Sequence, residues 1–378
     1  MTICLTGDVR TAIIASGCDV GIRSVSAHGI QIAHAGASRL LNVVRGNMRR
    51  RFLRAISVTA VGLSVVLGAG CGSPSSGPPK VSGLEKTNVT VGAVPVADEA
   101  GLYIAQDQGL FAAAGLHVTI DPILSSADAT KGQNSGKFDI TAGNSVSYVQ
   151  AQVTHQSDLE IVAEGSLMQP DNQALYTLPR SPITTIADLK GRRIGVNVLN
   201  NIGTLLISSV LQEHGLSARD VHFVPVPFPV LGQALKRHLI DVAWLPEPTA
   251  SADGETMGLA ELTDLDQGAT EGFPVGWYVA TKAWAKKYPR TLEAFLGALR
   301  QGQEIADSSR TAVERAMEKL PAPFTVSPTI AAVMSIETYP LNVAPNIDLQ
   351  RVQRVANEML QFHMLKTKFE VSSMLGGA

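Results

Sequence analysis

The chain has 378 residues, of which 45% are hydrophobic, and it carries 31 Lys or Arg against 33 Asp or Glu. Two of the acidic and eight of the basic residues precede Cys71, so 23 basic and 31 acidic residues follow it, a net charge of −8. An acidic body without a basic cluster argues against nucleic acid as a partner. All three cysteines, at positions 4, 18 and 71, precede that body, which excludes disulfides and cysteine chemistry within it.

Residues 1–47 show no sustained helical or strand period, and the segment that follows them has the plan of a signal peptide. Signal peptides begin at the N-terminus of a precursor. We therefore expect translation to start at Met48, with residues 1–47 either untranslated or a disordered extension.

Residues 48–71 combine a basic start with an uncharged apolar run at 55–70. That run of 16 residues is shorter than the ~20 that a membrane-spanning helix needs. Residues 67–71 resemble a lipobox, in which the cysteine is acylated (palmitate is one such chain) and becomes the new N-terminus, although Gly68 replaces the usual aliphatic residue. Cys71 is therefore the predicted lipid anchor on the extracytoplasmic face of the cell membrane. The alternative is a buried cysteine at the end of a core helix.

The export route stays open. The run Arg49-Arg50-Arg51-Phe52-Leu53-Arg54 resembles the twin-arginine motif, and ordinary Sec export fits almost as well. After the cysteine, residues 72–87 contain Gly-Ser-Pro-Ser-Ser-Gly-Pro-Pro and no apolar period. This composition predicts a flexible tether between membrane and body.

The body alternates strand-like and helix-like patterns. In the first half, strands are predicted at 89–93, 118–120 and 138–141, with helices through 102–105 and after 126. In the second half, a capping box at Thr185 and Asp188 precedes strands at 194–196, 222–226 and 241–244, with helices through 207–214 and 231–238. This βαβ order implies parallel sheets in an α/β fold. Apolar stripes at 292–299 and 349–360 predict later helices that cover a lobe.

Several strings, in order, resemble one protein family over residues 88–365. They are Gly-Leu-Tyr-Ile-Ala at 101–105, Gly-Leu-Phe at 109–111, Gly-Lys-Phe-Asp-Ile at 136–140, Ala-Asp-Leu-Lys-Gly-Arg-Arg-Ile-Gly-Val at 187–196, and Glu-Pro at 247–248. They resemble the substrate-binding lipoproteins of ABC transporters for nitrate, sulfonates, taurine and thiamine-pyrimidine precursors. Each string alone is weak, but their order is fairly specific.

The resemblance implies a two-lobed periplasmic-binding-protein-like fold of type 2, with two crossing hinge strands and C-terminal helices on lobe 1. Lobe 1 would comprise 88–178 and 279–378 and lobe 2 would comprise 179–278, with crossings near 176–182 and 272–280. It also implies a monomer without cofactor or metal, whose partners are a small ligand, the ABC permease and, through the anchor, the membrane. Capture would proceed by closure of the lobes over the ligand.

Turns after the strands should point helix N-termini into the cleft, where they favour anions and carbonyls. The predicted ligand-binding residues are Asp98, Ser125, Ser126, Asn144, Ser145, Asn197, Asn200, Asn201, Gly203, Thr204, Glu247 and Trp277. Asn200 and Asn201 could instead only shape a turn and cap a helix. Glu247 could accept a hydrogen bond from a ligand amino group or be a solvated or helix-capping acid, and Trp277 could stack on a ligand or belong to the core. A cleft that has one acid and no Lys or Arg should favour a zwitterion or an aminated ring over a bare anion as its ligand.

A pyrimidine synthase and a ligand sensor are the two alternative functions. A pyrimidine synthase shares this fold but depends on cysteine-rich and histidine motifs, whereas this body has no cysteine and its histidines lack metal-ligand spacing. No nucleophile elbow or phosphate-binding loop occurs either, so catalysis is not expected. A ligand sensor that presents its ligand to a membrane receptor would have the same sequence features as an importer component.

Overall fold

Four short strands lie near the N-terminus of the computed structural model, which describes residues 3–5, 11–16, 19–26, 29–33 and 81–376. They are β1 (Ile3–Leu5), β2 (Thr11–Ser16), β3 (Asp19–Ser26) and β4 (Gly29–Ala33), which form an antiparallel sheet in chain order. The sequence did not predict these four strands. Val20 and Ile22 alternate with other residues, as do Ile30 and Ile32, in runs too short to give a sustained period. Whether the segment is translated stays a prediction.

The signal peptide, the lipobox and residues 72–80 of the tether lie outside the described residues. The predicted tether extends too far, because Glu85 and Lys86 are held by the body. Lys86 Nζ contacts Asp139 Oδ2 at 2.7 Å, and Glu85 Oε2 accepts from the Thr291 backbone nitrogen at 3.0 Å. Among the described residues, no helix is long and apolar enough to cross a bilayer.

Two five-stranded sheets form the core of residues 81–376. Their strands are β5 (Asn88–Ala93), β6 (His117–Pro122), β7 (Ile140–Asn144), β8 (Leu159–Glu164), β9 (Gln173–Thr177), β10 (Arg193–Val196), β11 (His222–Pro225), β12 (Val242–Pro246), β13 (Ala260–Asp264) and β14 (Gly276–Thr281). The first sheet has the order β6-β5-β7-β14-β8 and the second β11-β10-β12-β9-β13. In each sheet four strands run in the same direction, and one strand, β14 in the first sheet and β9 in the second, lies antiparallel between two of them.

Helices join and flank the strands. They are α1 (Ala100–Asp107), α2 (Leu110–Ala113), α3 (Ser126–Asn134), α4 (Ser145–Val153), α5 (Ile202–Glu213), α6 (Phe228–Lys236), α7 (Thr249–Met257), α8 (Lys282–Lys287), α9 (Pro289–Ser308), α10 (Arg310–Glu318), α11 (Pro328–Val333) and α12 (Leu349–Gln361). The predicted capping box is present, since Asp188 Oδ2 accepts from the Thr185 backbone nitrogen at 2.9 Å. The box lies at the start of the 3-10 turn Ile186–Leu189, which precedes β10.

The chain crosses between the lobes twice, as predicted, but earlier than predicted at each crossing. It leaves the first sheet after β8 and returns between β13 and β14. β9 belongs to lobe 2 because its backbone pairs with β12 and β13, so the first boundary falls between Glu164 and Gln173 and not at 178. β14 pairs along its whole length with β7 and β8, which moves the second boundary ahead of Gly276.

The C-terminal helices pack mainly on lobe 1, which confirms the prediction. α9 crosses α1 closely enough that a Cβ added at Gly302 would lie 2.1 Å from the Gly101 carbonyl oxygen. α12 contacts α4, and its Arg351 forms an ion pair with Glu164, a carboxylate buried at the end of β8. These contacts fix the part of lobe 1 that faces the crossings.

The close contact between α1 and α9 predicts how substitutions of glycines in α9 change stability. Gly302→Ala should lower the free energy of unfolding by about 1–3 kcal/mol, because the new methyl group meets backbone that cannot move away cheaply. Gly297→Ala in the same helix is the control, since nothing lies within 4 Å of its added Cβ, and helix propensity should raise stability by up to about 1 kcal/mol. Urea unfolding measures both. Equal changes in the free energy of unfolding for the two variants would contradict the close approach of α9 to α1.

Candidate functional site

A small cavity of about 30 Å³, partly open to solvent, lies where the two lobes meet. Lobe 1 and lobe 2 contribute similar shares of its wall. The lining residues are Val94, Val96, Asp98, Glu99, Ser126, Gly143 and Asn144 from lobe 1, and Gln173, Asn197, Ile202, Phe228, Trp244 and Pro246 from lobe 2. Most follow the carboxyl ends of parallel strands, where α/β folds expose backbone and side chains to ligands.

The lobes touch directly beside this cavity. The Ala97 backbone nitrogen, after β5, donates to the Glu247 carbonyl oxygen, after β12, at 3.0 Å. One backbone hydrogen bond thus closes the cleft along one side. The lobes are in a closed arrangement, and a ligand in the cavity would contact both.

Two adjacent carboxyl groups, Asp98 and Glu99, lie in the lobe 1 wall on the 3-10 turn Ala97–Glu99. Glu99 is 1% exposed, and burial, aided by the charge of Asp98, raises its pKa to about 8. Burial also raises the pKa of Asp98. At neutral pH Glu99 is therefore mainly protonated, and a protonated carboxyl group can both donate and accept a hydrogen bond.

Ser126 and Asn144 form a hydrogen-bonded pair at the N-termini of α3 and α4. Ser126 Oγ accepts from the Asn144 backbone nitrogen at 3.0 Å and from Asn144 Nδ2 at 2.9 Å. With both bonds accepted, the Ser126 hydroxyl proton is left to donate towards the cavity. Gly143 makes the pair possible, because a Cβ there would lie 2.5 Å from Ser126 Oγ.

Lobe 2 contributes two aromatic rings and an amide. Phe228 and Trp244 have ring centroids 5.3 Å apart with planes tilted by 57°. Gly203 lets the Trp244 ring pack against the start of α5, since an added Cβ would lie 2.4 Å from that ring. Trp244 Nε1 and Gln173 Oε1 are buried and have no hydrogen-bond partner among the described residues. Unpartnered buried polar atoms are costly, so these two atoms mark positions where a ligand would be stabilised.

Four of the twelve predicted site residues line the cavity: Asp98, Ser126, Asn144 and Asn197. A fifth, Asn201, stands behind this wall, because its Nδ2 donates to Asn197 Oδ1 at 2.7 Å. Thr204 Oγ1 accepts from the Asn201 backbone nitrogen at 3.0 Å and so caps α5. The predicted turn at 197–204 therefore contributes the lining side chain of Asn197 and the side chain of Asn201 that holds it.

The other predicted residues have structural roles in the geometry described. Ser125 caps α3 and bonds to Asp128, the buried Ser145 hydroxyl donates to the Pro274 carbonyl at 2.8 Å, and Asn200 is an exposed turn residue with φ 55°. Gly203 packs against Trp244, as described above. Glu247 is buried outside the lining, where its carboxylate accepts from Ser251 Oγ at 2.7 Å and from the Ser335 nitrogen at 3.3 Å. Trp277 is a core residue of β14.

Sequence reasoning missed Glu99, Gln173, Phe228 and Trp244, which line the cavity. Glu99 directly follows the predicted Asp98, and Trp244 ends a predicted strand, so each had a weak positional signal. Gln173 lies on β9, a strand that was not predicted. The cavity lining contains no Lys, Arg, His or Cys. Within the part of the chain that the structure describes, no cluster of His, Cys, Asp or Glu has the arrangement of a metal site.

Comparison with known proteins identifies the family. A family model described as NMT1/THI5 like matches residues 96–309, more than half of the chain. The chain belongs to this family. Its match includes most of the cavity wall from both lobes, and the resemblance predicted from the short strings is confirmed.

Individual relatives are more distant. A Haemophilus influenzae protein assigned to thiamine biosynthesis is 32% identical over 131 residues, 34% of this chain and 40% of that protein. The 4-amino-5-hydroxymethyl-2-methylpyrimidine phosphate synthase of Uromyces fabae is 24% identical over 215 residues, 54% of this chain and 61% of that one. The matches thus span roughly half of these relatives' own lengths.

One solved structure shows the shared fold. The alkanesulfonate-binding protein SsuA of Xanthomonas axonopodis pv. citri, bound to MOPS, superposes with a TM-score of 0.64 at 18% identity, covering 78% of this chain and all of that one. The chain therefore has the two-lobed periplasmic-binding-protein fold that its sequence predicted. At this identity the similarity concerns the fold and not the ligand.

The burial of Glu99 should make the stability of the protein depend on pH. Its pKa is about 8 in the folded protein and 4.5 ordinarily, so between these values the folded state holds a proton that the unfolded state releases. The free energy of unfolding should therefore fall as pH rises through this window, by up to about 1.4 kcal/mol per pH unit. Glu99→Gln should flatten this dependence in urea unfolding, whereas Gln at the exposed Glu293 should not. An unchanged slope in Glu99→Gln would contradict the burial of a protonated group.

Proposed function

We propose that the protein is an extracytoplasmic solute-binding lipoprotein of an ABC uptake system, and that its ligand is a small, flat, aminated nitrogen ring of the pyrimidine-precursor kind. One observation carries the proposal: the interlobe cavity has two buried carboxyl groups and two aromatic rings in its wall, and no cationic side chain. This wall suits hydrogen-bond donors and a π-face more than it suits negative charge.

An aminopyrimidine matches these groups by its own chemistry. Its exocyclic amine donates next to a ring nitrogen that accepts, and a protonated carboxyl group such as that of Glu99 offers the complementary acceptor and donor. Phe228 and Trp244 provide faces on which a flat ring can stack. The family and the two relatives, one assigned to thiamine biosynthesis and one a pyrimidine phosphate synthase by name, support the same ligand class.

Anionic ligands fit this wall less well. A sulfonate like that in the Xanthomonas structure would be held by the N-termini of helices α3, α4 and α5 and by neutral donors alone, next to Asp98 and Glu99. Burying a negative charge without a cationic partner is costly. Taurine, whose amino group can bond to a carboxylate, ranks between the aminated rings and the bare anions nitrate and alkanesulfonate.

Capture works through closure in this proposal. Ligand contacts from both lobes, together with the Ala97–Glu247 backbone bond, stabilise the closed state, which the permease then receives. The cavity wall has neither Cys nor His, which supports binding without turnover. A sensor would bind in the same way, and uptake assays in cells with and without the permease separate the two roles. The protein is proposed to act as a monomer, held at the membrane by an acylated Cys71.

Calorimetry tests the ligand class. The probe 4-amino-5-hydroxymethyl-2-methylpyrimidine should bind, and methanesulfonate and nitrate should not. Gln173→Met should weaken probe binding about 3- to 10-fold through loss of one hydrogen bond. Gln303→Met is the matched control, because Gln303 is equally buried, also has an unpartnered Oε1, and lies in α9, which does not line the cavity. Sulfonate binding without probe binding would contradict the ligand class, and turnover of the probe would contradict a pure binding role.

Membrane anchoring has its own test. Cys71→Ala should move the protein from the membrane fraction to the soluble extracytoplasmic fraction and abolish incorporation of a palmitate analogue, because the acylated thiol is lost. Ser73→Ala, two residues away, should leave both unchanged. Membrane retention and labelling in Cys71→Ala would contradict the anchor.

A further inference from the structure

The α11–α12 segment, residues 334–348, contacts both partners of the backbone bond that closes the cleft. The Ser335 backbone nitrogen donates to Glu247 Oε1 of lobe 2 at 3.3 Å, and the Tyr339 hydroxyl donates to the Ala97 carbonyl of lobe 1 at 3.0 Å. Ala97 and Glu247 are also the residues whose backbones bond to each other across the lobes at 3.0 Å. The four residues thus form a closed ring, in which the segment braces the interlobe bond.

The α11–α12 segment is attached to lobe 1 on both sides of Ser335. Arg310 of α10 donates from Nη2 to the Met334 carbonyl at 2.6 Å, and α10 packs on α1. On the other side, the Tyr339 backbone nitrogen donates to Asp307 Oδ1 of α9 at 3.0 Å. Lobe 1 therefore fixes the position of Ser335, although its N–H reaches lobe 2.

Lobe 2 holds the Glu247 carboxylate in place to accept this bond. Ser251, one turn later in α7, donates to it from Oγ at 2.7 Å and from its backbone nitrogen at 3.1 Å. Burial raises the pKa of Glu247, and the bonds from Ser251 and Ser335 oppose this rise. Hydrogen bonds to a carboxylate are stronger than those between neutral groups. Of these donors only the Ser335 nitrogen comes from lobe 1, so this bond depends on how the lobes are placed.

We propose that Glu247 and Ser335 form a latch that stabilises the closed state, with Tyr339 as the positioning residue that holds Ala97 against Glu247. Opening of the lobes breaks both bonds of Glu247 to lobe 1 together. The inference rests on the proposed function, since the latch sets how long the ligand is retained after closure. Glu247, which the sequence predicted as a ligand contact, then acts on binding from outside the cavity lining.

Two substitutions of Ser335 test the latch without any ligand. Ser335→Pro removes the donating N–H, and Ser335→Ala keeps it. The preceding residue, Met334, has φ −63° and ψ 150°, the extended conformation that a residue before proline prefers. Spin labels at Lys131→Cys in lobe 1 and Lys236→Cys in lobe 2 report the distance between the lobes, since the body has no cysteine of its own.

The wild type and Ser335→Ala should show a closed population by double electron–electron resonance. In Ser335→Pro the ratio of closed to open molecules should be about 5- to 10-fold lower, through loss of one hydrogen bond to a buried carboxylate. Equal ratios in all three proteins, or a wild type without a closed population, would overturn the latch.

Tyr339→Phe tests the positioning role with a side chain of nearly the same size. It leaves the Ala97 carbonyl without its donor and should lower the ratio of closed to open molecules in the same direction as Ser335→Pro. Tyr103→Phe in α1 is the matched control, because the Tyr103 hydroxyl has no hydrogen-bond partner among the described residues. A change of the same size in both variants, or in neither, would overturn the role of Tyr339.

Stopped-flow binding of 4-amino-5-hydroxymethyl-2-methylpyrimidine separates a latch from a merely structural contact. The latch forms after the ligand has entered, so Ser335→Pro should raise koff about 5- to 10-fold and leave kon nearly unchanged. Combining it with Glu247→Gln should add little, because both changes weaken the same bond. A lower kon with an unchanged koff, or additive changes, would overturn the proposal. If the wild type does not bind the probe, the proposed function fails, and the spin-label distances still decide the latch.

Discussion

Carboxyl groups that are buried where the lobes meet, without a cation beside them, constrain everything else about the site. Asp98 and Glu99 line the cavity, and Glu337 is buried on the α11–α12 segment. Because an isolated buried carboxylate is costly, these groups retain protons at pH values where surface acids have lost theirs. The burial of these carboxyl groups therefore bears on three properties: the charge of the ligand, the pH dependence of folding and the position of the α11–α12 segment.

The fold brings these acids together from distant parts of the chain. Asp98 and Glu99 follow β5, whereas Glu337 comes after both crossings and the long helix α9. Close packing of α9 on α1 through Gly101 and Gly302, and the Arg351–Glu164 ion pair, fix the C-terminal region on lobe 1. The α11–α12 segment then bonds to Ala97 and Glu247, the residues that join the lobes. A change in the C-terminal region can therefore act on the cleft without contacting the ligand.

Local sequence patterns predicted much of this fold because its parallel strands and amphipathic helices carry their own periods. β5, β10 and α12 and the capping box at Thr185 lie where these patterns placed them. β9 was not predicted and the lobe boundaries were misplaced, since the lobe to which a strand belongs depends on its pairing, here with β12 and β13, which are distant in sequence.

The residues of the candidate site were likewise predicted only in part. Turn residues directly after strands, such as Ser126 and Asn144, were found by position. Glu247 follows a cleft strand, but its side chain bonds to Ser251. Trp277 lies on a cleft strand, but its side chain enters the core. Packing sets the orientation of such side chains. No local pattern connects Ser335 with Glu247. Their contact exists only in the folded chain.

The central claim is that the interlobe cavity selects an aminated ring over an anion, and a crystal structure of the protein grown with equal concentrations of 4-amino-5-hydroxymethyl-2-methylpyrimidine and methanesulfonate tests it most directly. We expect the pyrimidine in the cavity, with its ring against Phe228 and Trp244 and its amino edge on Asp98 or Glu99. A sulfonate group in the cavity, or a pyrimidine bound elsewhere, would contradict it.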